Sequence, residues 1–352
     1  MSLFEVKPID TQFYEKYIKD FLPPKIIDIH THLWLDEHRS HNNSSVHEIV
    51  SWPSMVALDN SAEDIIESYK LMFPDKEVTP LIFSSIRPGD DFDVNNNYIK
   101  ECSEKYDMPA LYYSSPEMSA EYLENKIIEG KFLGIKAYLD HAPAYIPSNE
   151  IRIFDYFPHH QLEVMNRLGM IVMCHIPRSG RLKDPVNLAQ LLEIEEKYPN
   201  LKLIVAHVGR AYCPEDIGNA FEVLAKTKNM LFDITANCLE LVFEKLIETV
   251  SAKRILFGSD LPILRMRTKR ICENGTYINL VPKGLYGDVS GDSHMREVTG
   301  EEADNLTFFM YEEIDAFRKA AEKCNLSKDD IADVFYNNAF NLINDVKTRM
   351  KY

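Results

Sequence analysis

Residues 26–34 read IIDIHTHLW. Isoleucine at 26, 27 and 29 makes a β-branched run of strand length, which suits a pleated, buried surface. Alternate side chains of a strand share a face, so His30 and His32 point the same way, two rises apart. Neutral imidazoles so placed can bind one ion. The stretch predicts a strand ending in a ligand pair, and the rest of the chain decides which sheet it joins.

Seven similar runs follow: VTPLIFSSI (78–86), ALYYSS (110–115), LGIKAYL (133–139), MIVMCH (170–175), LKLIVAH (201–207), MLFDIT (230–235) and RILFGSD (254–260). Between them, stretches near 61–73, 94–106, 118–130, 154–168, 184–198, 214–228 and 239–251 predict helices. Such alternation is the pattern of successive βα units on a parallel sheet. Eight units close an α/β structure, the (β/α)8 TIM barrel. An open doubly wound sheet is the alternative, but no Gly-rich phosphate loop follows the first run. Long insertions follow strand 1 (33–60) and strand 8 (261–300, read as irregular), and both would rise from the C-terminal face, where such barrels place their chemistry. Two extra C-terminal helices are predicted near 301–323 and 327–348. No linker-like tract interrupts the pattern, so 1–352 reads as a single domain.

With 39 Lys and Arg against 55 Asp and Glu, the formal charge is −16, which repels nucleic acid and acidic membrane surfaces. The expected partner is a small-molecule substrate, with no nucleic acid and no membrane, and homo-oligomerisation is left open. Six scattered cysteines without a C-x-x-C pair read as reduced thiols. The N-terminus lacks a signal-peptide core and no apolar run is long enough to span a bilayer, so the expected location is cytoplasmic.

Three later runs end like the first, in His175, His207 and Asp260. Polar groups at the ends of apolar strands cost several kcal/mol if buried unpaired, on the order of 2–7 for a neutral group, so their convergence on one rim points to a site. Lys136 ends the fourth run in the same layer. A protonated ammonium cannot ligate, so beside a metal it must lose its proton, become carboxylated or point elsewhere, for instance to a substrate carboxylate or Asp140. Tyr138 shares its parity and is a pocket candidate. Arg178, Arg210, Arg265, Arg267, Lys269 and Arg270 cluster after strands 5, 6 and 8, a rim that would focus anions, with Arg178 expected to anchor a substrate carboxylate. Trp34 and Trp52 read as packing residues. Cys174 should face the outer helices, His159 and His160 lack a partner at ligand spacing, and Asp28 reads as a hydrogen-bonded barrel residue. His38, His41, His47 and His294 read as solvated.

The set D-x-H-T-H (28–32), G-I-K (134–136), His175, A-H-V-G (206–209), F-G-S-D-L-P (257–262) and Y-N-N-A-F-N-L-I (336–343) resembles the amidohydrolase superfamily over about residues 26–345, in the branch that includes aminocarboxymuconate-semialdehyde decarboxylase. The resemblance implies His30, His32, His175 and Asp260 as ligands of a divalent metal, most often zinc, and His207 as the residue that polarises or protonates substrate. One ion is favoured. Two-metal relatives imply the alternative, in which Lys136 is a bridging carbamate and His175 with His207 hold a second ion. Three imidazoles and a carboxylate suit a borderline divalent cation.

The leading expectation is metal-assisted hydrolysis, with Asp260 moving the proton of the attacking water. The first rival is non-oxidative decarboxylation of an unsaturated or aromatic acid on the same site, with His207 protonating carbon. Hydration of a carbon–carbon double bond ranks third. A non-catalytic barrel scaffold is the rival of another class, and the filled rim positions argue against it.

Overall fold

Strand β1 spans Lys25–Leu33 and pairs in parallel with β2, Glu77–Ser84. Six shorter strands form a second parallel sheet: β3 (Tyr112–Tyr113), β4 (Gly134–Ala137), β5 (Ile171–Cys174), β6 (Lys202–Val205), β7 (Leu231–Asp233) and β8 (Ile255–Leu256). The structure is a computed structural model and describes residues 2–40 and 55–352; Trp52, His41 and His47 lie outside the described residues. Two seams join the sheets. Ile82 N–H donates to the Pro109 carbonyl and Leu111 N–H to that of Ile82, both at 2.9 Å. Across the other seam, Ile29 N–H donates to Phe257 O (3.0 Å), Asp260 N–H to His30 O (2.8 Å) and His32 N–H to Leu261 O (3.1 Å). The eight parallel strands thus close into a ring, the TIM barrel that the run pattern predicts.

The strands are near-continuous apolar runs because both faces are covered: Ile29, Phe83, Ile135, Met173, Ile204 and Phe232 are fully buried. Helices 62–72, 92–106, 120–130 and 185–197 start on Ser61, Asp91, Ser119 and Asp184, whose side chains accept N–H groups of the first turn. The predicted helix at 214–228 shrinks to Ala220–Leu224 behind a 3-10 turn. The last predicted helix, 327–348, is broken by a π-helical turn at Asp333–Asn337. Among the described residues, no helix is long and apolar enough to cross a membrane.

The insertion after β8 corrects the reading of 261–300 as irregular. It folds into three strands, β9 (Lys269–Glu273) antiparallel to β10 (Thr276–Pro282), which pairs in parallel with β11 (Met295–Val298). Asn274-Gly275 is the hairpin signal that the mixed polarity of these strands obscures, and both residues have positive φ, 51° and 74°. Ile278, Leu280, Val298 and Leu306 give this subdomain a small core of its own. The insertion is tied down covalently as well. Cys213, in the loop after β6, forms a disulfide with Cys272 of β9, which corrects the expectation that all six cysteines are free; 59 residues separate the pair in sequence, so no local motif marks it.

At the base of the insertion, Arg267 is buried and makes bonds of 2.8 and 2.7 Å to the two oxygens of the fully buried Asp10, which also accepts from Thr307 Oγ1 at 2.7 Å. Asp10→Ala strands a buried guanidinium and should cost about 3–5 kcal/mol. Urea unfolding of the variant against the parent protein measures it.

Candidate metal centre and substrate cavity

His30 and His32 share a strand face, and the seam hydrogen bonds to Asp260 and Leu261 bring the end of β8 alongside them. The result is a cluster of His30, His32 and Asp260 whose ligand atoms lie within 4.8 Å of one another. His30 Nδ1–H donates to Asp233 Oδ2 at 2.9 Å, and His32 Nδ1–H to the Ser84 carbonyl at 3.3 Å. Burial lowers the pKa of both rings, so each is neutral and has only that one N–H. Their Nε2 atoms therefore present lone pairs, and both face Asp260 Oδ1, at 3.6 and 3.1 Å. His30 Nε2 is buried without a hydrogen-bond partner. Lone pairs converging in this way repel unless a cation stands among them, so the residues fit the divalent metal that the sequence implies.

His175 and His207 stand next to this cluster. Ring centroids are 5.0 Å apart for His30 and His207, and 5.1 Å for His175 and His207. His207 Nδ1–H donates to the Thr235 carbonyl at 3.1 Å, which leaves its Nε2 lone pair for the cavity. Its pKa is lowered to about 4 by burial, with His30 and Lys136 adding to the effect against Asp260 and Asp233. Neutral His207 is thus an acceptor; it donates only after taking up a proton. Burial alone would raise the Asp260 carboxyl, yet the surrounding His32, His30 and His207 rings hold it well below the usual carboxylate range. Lys136 is buried, its pKa brought down to about 8 by desolvation against the pull of Asp260 and Asp233. Among the described residues it makes no ion pair, with Asp140 or any other carboxylate, and its Nζ lies 5.3 Å from the Phe83 ring.

One cavity of about 190 Å3 is lined by His30, His32, Lys136, Tyr138, His175, His207 and Asp260. Residues 27–343 match the family model described as Amidohydrolase. The chain belongs to the amidohydrolase family. No curated protein matches significantly. Among solved structures, an amidohydrolase of Burkholderia multivorans with bound zinc is similar at 11% identity and TM-score 0.57, covering 91% of this chain and 99% of that one. A dihydroxybenzoic acid decarboxylase of Polaromonas sp. JS666 with bound manganese is similar at 13% identity and TM-score 0.54 (92% and 97% covered), and a probable 2-pyrone-4,6-dicarboxylic acid hydrolase of Acinetobacter baumannii at 14% and 0.52 (91% and 99%). At these identities the likeness is one of fold.

Within the amidohydrolase frame, the structure sorts the basic rim. Arg178 is not brought to the cavity: its Nε pairs with both oxygens of Asp184, at 3.0 and 3.1 Å, the residue that caps helix 185–197. Arg267 serves Asp10, and Arg265 donates to the Val56 carbonyl. Of the expected group only Arg210 and Arg270 line the cavity, joined by Arg39 and Arg87, which the sequence reading passed over. Trp34 lines it too, beside Tyr113, Tyr212 and Tyr277. His294 is not simply solvated, since it stacks on Tyr277 at 4.0 Å; His38 packs on Tyr98 at 5.5 Å. Cys174 is buried off the cavity, as its strand parity predicts, and Asp28 accepts from His30 N–H, Ser259 N–H and Tyr69 O–H within the barrel.

Asp233 was missed. It has no exposed surface and accepts from His30 Nδ1–H through one oxygen and from the backbone N–H of His207 (2.6 Å) and Thr235 (3.2 Å) through the other. A charged residue inside the run MLFDIT was the available signal. The backbone it holds is strained: His207, Val208, Gly209 and Arg210 have φ of 58°, 46°, 60° and 60°, and Asp260 has 53°. Left-handed geometry costs L-residues roughly 1–2 kcal/mol each, and a β-branched valine there is a true outlier. Three of these left-handed residues, His207, Arg210 and Asp260, line the cavity.

Two outcomes follow from this geometry. Asp233→Asn weakens the acceptor that fixes the His30 tautomer, and zinc affinity should fall about 10–100-fold in a chelator competition titration, with the circular dichroism spectrum kept. In the metal-free protein, four buried histidines have lowered pKa values, His207 to about 4 from 6.5. As pH falls from 6.5 towards 4 the unfolded chain binds the more protons, so stability drops, by up to about 1.4 kcal/mol per pH unit per histidine. Asp28, raised to about 6 by burial, and Glu312 and Glu313, raised by the same cause, oppose this, three carboxyls against four histidines. Urea unfolding at pH 7 and pH 5 reads the difference.

Proposed function

We propose that the protein is a metal-dependent hydrolase acting on a small, carboxylate-bearing substrate, with one divalent ion, zinc in the first place, held by His30, His32, His175 and Asp260. The observation that carries this reading is the convergence of His30 Nε2 and His32 Nε2 on Asp260 Oδ1, at 3.6 and 3.1 Å, while each Nδ1 faces a carboxylate or carbonyl oxygen. When bound, the ion supplies an acidified water and a polarised carbonyl.

The chain's own residues do the rest. Asp233 and the Ser84 carbonyl keep His30 and His32 in the Nδ1–H tautomer. Asp260 takes the proton of the attacking water and returns it to the leaving group. His207, fixed on the Thr235 carbonyl, presents a lone pair to the substrate, so it polarises a carbonyl only once protonated. Arg210 and Arg270, in place of Arg178, receive the substrate carboxylate, and Tyr138, 4.6 Å from the His175 ring, walls the pocket.

A second reading keeps the site and changes the bond broken. The tyrosines of the wall, Tyr113, Tyr138, Tyr212 and Tyr277, suit a flat unsaturated acid. Loss of carbon dioxide from such an acid leaves an electron pair on carbon, to which protonated His207 delivers its proton. Product analysis separates the two: carbon dioxide released in step with substrate loss, or a cleaved amide, ester or lactone.

Asp260→Asn should abolish hydrolytic turnover while the thermal unfolding profile stays close to the parent's. A variant with a near-parental rate removes Asp260 from the proton path.

A further inference from the structure

The cavity wall carries more positive charge than one substrate carboxylate needs. Arg39 follows β1, Arg87 follows β2, Arg210 follows β6 and Arg270 stands in β9. In a ring of eight strands β2 and β6 are four places apart, so Arg87 and Arg210 belong to opposed walls, above the floor of imidazoles and Asp260. Arg270 joins the Arg210 side: its guanidinium stacks on Tyr212 at 4.6 Å and donates to the Ala236 carbonyl after β7.

Most arginines away from the cavity are ion-paired: Arg152, Arg167, Arg178, Arg181, Arg267 and Arg318 each have a carboxylate oxygen within 3.0 Å, as expected in a chain of charge −16. Arg254 and Arg265, the exceptions among the described residues, donate to backbone carbonyls and, for Arg254, the Thr227 hydroxyl. Among the described residues, Arg210 donates hydrogen bonds only to the carbonyls of Ile176 and Pro177, at 3.4 and 3.3 Å. Arg270 uses Nε on the Asn279 amide oxygen at 2.9 Å. Arg87, Arg210 and Arg270 make no ion pair among the described residues, and Arg39 lies 3.5 Å from its carboxylate partner, Asp90. Asp90 beside Arg39 and Asp140 in the lining temper the charge of the first wall, but a monoanion bound there leaves Arg210 and Arg270 without a carboxylate partner among the described residues, and one bound opposite leaves Arg87 so.

We infer that the substrate is a dianion with a carboxylate at each of two ends, one received by Arg39 and Arg87 and the other by Arg210 and Arg270. The planar guanidinium fork matches a carboxylate at each end. Tyr113 and Tyr138 face the body of the molecule between them. The inference deepens the proposed function and rests on it for the cavity being the active site.

Calorimetric titration of the zinc-loaded full chain with isophthalate, terephthalate and benzoate tests it. At least one dicarboxylate should bind about tenfold or more tightly than benzoate, and Arg87→Gln and Arg210→Gln should each cost about tenfold in dicarboxylate affinity. Arg87→Lys and Arg210→Lys, which keep the charge and lose the fork, stand in for any glutamine variant that does not fold. Benzoate binding as tightly as both dicarboxylates, or dicarboxylate affinity unmoved by the substitutions, overturns the two-ended substrate. Zinc stoichiometry on the same samples keeps the failures apart: zinc bound without dianion preference discards only this inference, and dianion preference without zinc supports it while discarding the metal reading.

Discussion

Asp233 is the constraint on which the centre depends. A carboxylate without solvent must be met by donors, and three meet it: the His30 ring and the backbone N–H groups of His207 and Thr235. Burial alone would raise its pKa, but His30 and His207 keep it lowered, so it stays charged at the bottom of the site. The His30 tautomer follows from this, and so does the direction of its free lone pair. The left-handed turn at 207–210 begins at the residue whose N–H Asp233 accepts, so the anchor that orients one ligand also fixes where His207 and Arg210 emerge.

Around this anchor the electrostatics divide into two layers. At the strand ends, desolvation pushes the histidines neutral, so their ring nitrogens offer lone pairs, while Lys136, lowered to about 8, stays mainly protonated at neutral pH. On the loops above, Arg87, Arg210 and Arg270 remain unpaired among the described residues in a chain dominated by acids. One layer suits a cation and the other suits anions, and the substrate would lie between them.

The barrel was legible because parallel strands covered on both faces are apolar runs, and the strand-end residues stood out against them as polar breaks. His30, His32, Lys136, Tyr138, His175, His207 and Asp260 do meet at one cavity. Tertiary returns of the chain were not legible. Arg178 looked free in HIPRSGR, yet Asp184 six residues on claims it while capping a helix. Arg39 and Arg87 sit in loop sequence without periodicity, where only the closed ring shows that they face inward. The Cys213–Cys272 link and the β9–β11 sheet depend on a fold-back across 59 residues, which no local pattern encodes beyond the Asn274-Gly275 turn.

The division between strand-borne floor and loop-borne wall has a consequence for how such a protein diversifies. The floor residues sit on strand tips whose backbone belongs to the ring's own hydrogen-bond lattice, so replacements there that are not isosteric disturb folding and chemistry together. The wall arginines hang on connections that the ring does not need for closure. Mutational drift can therefore rewrite which molecules are admitted at little expense to the barrel, and sequence divergence between descendants of one ancestor would gather in the loops after β1, β2, β6 and β8 while the strand tips stay fixed.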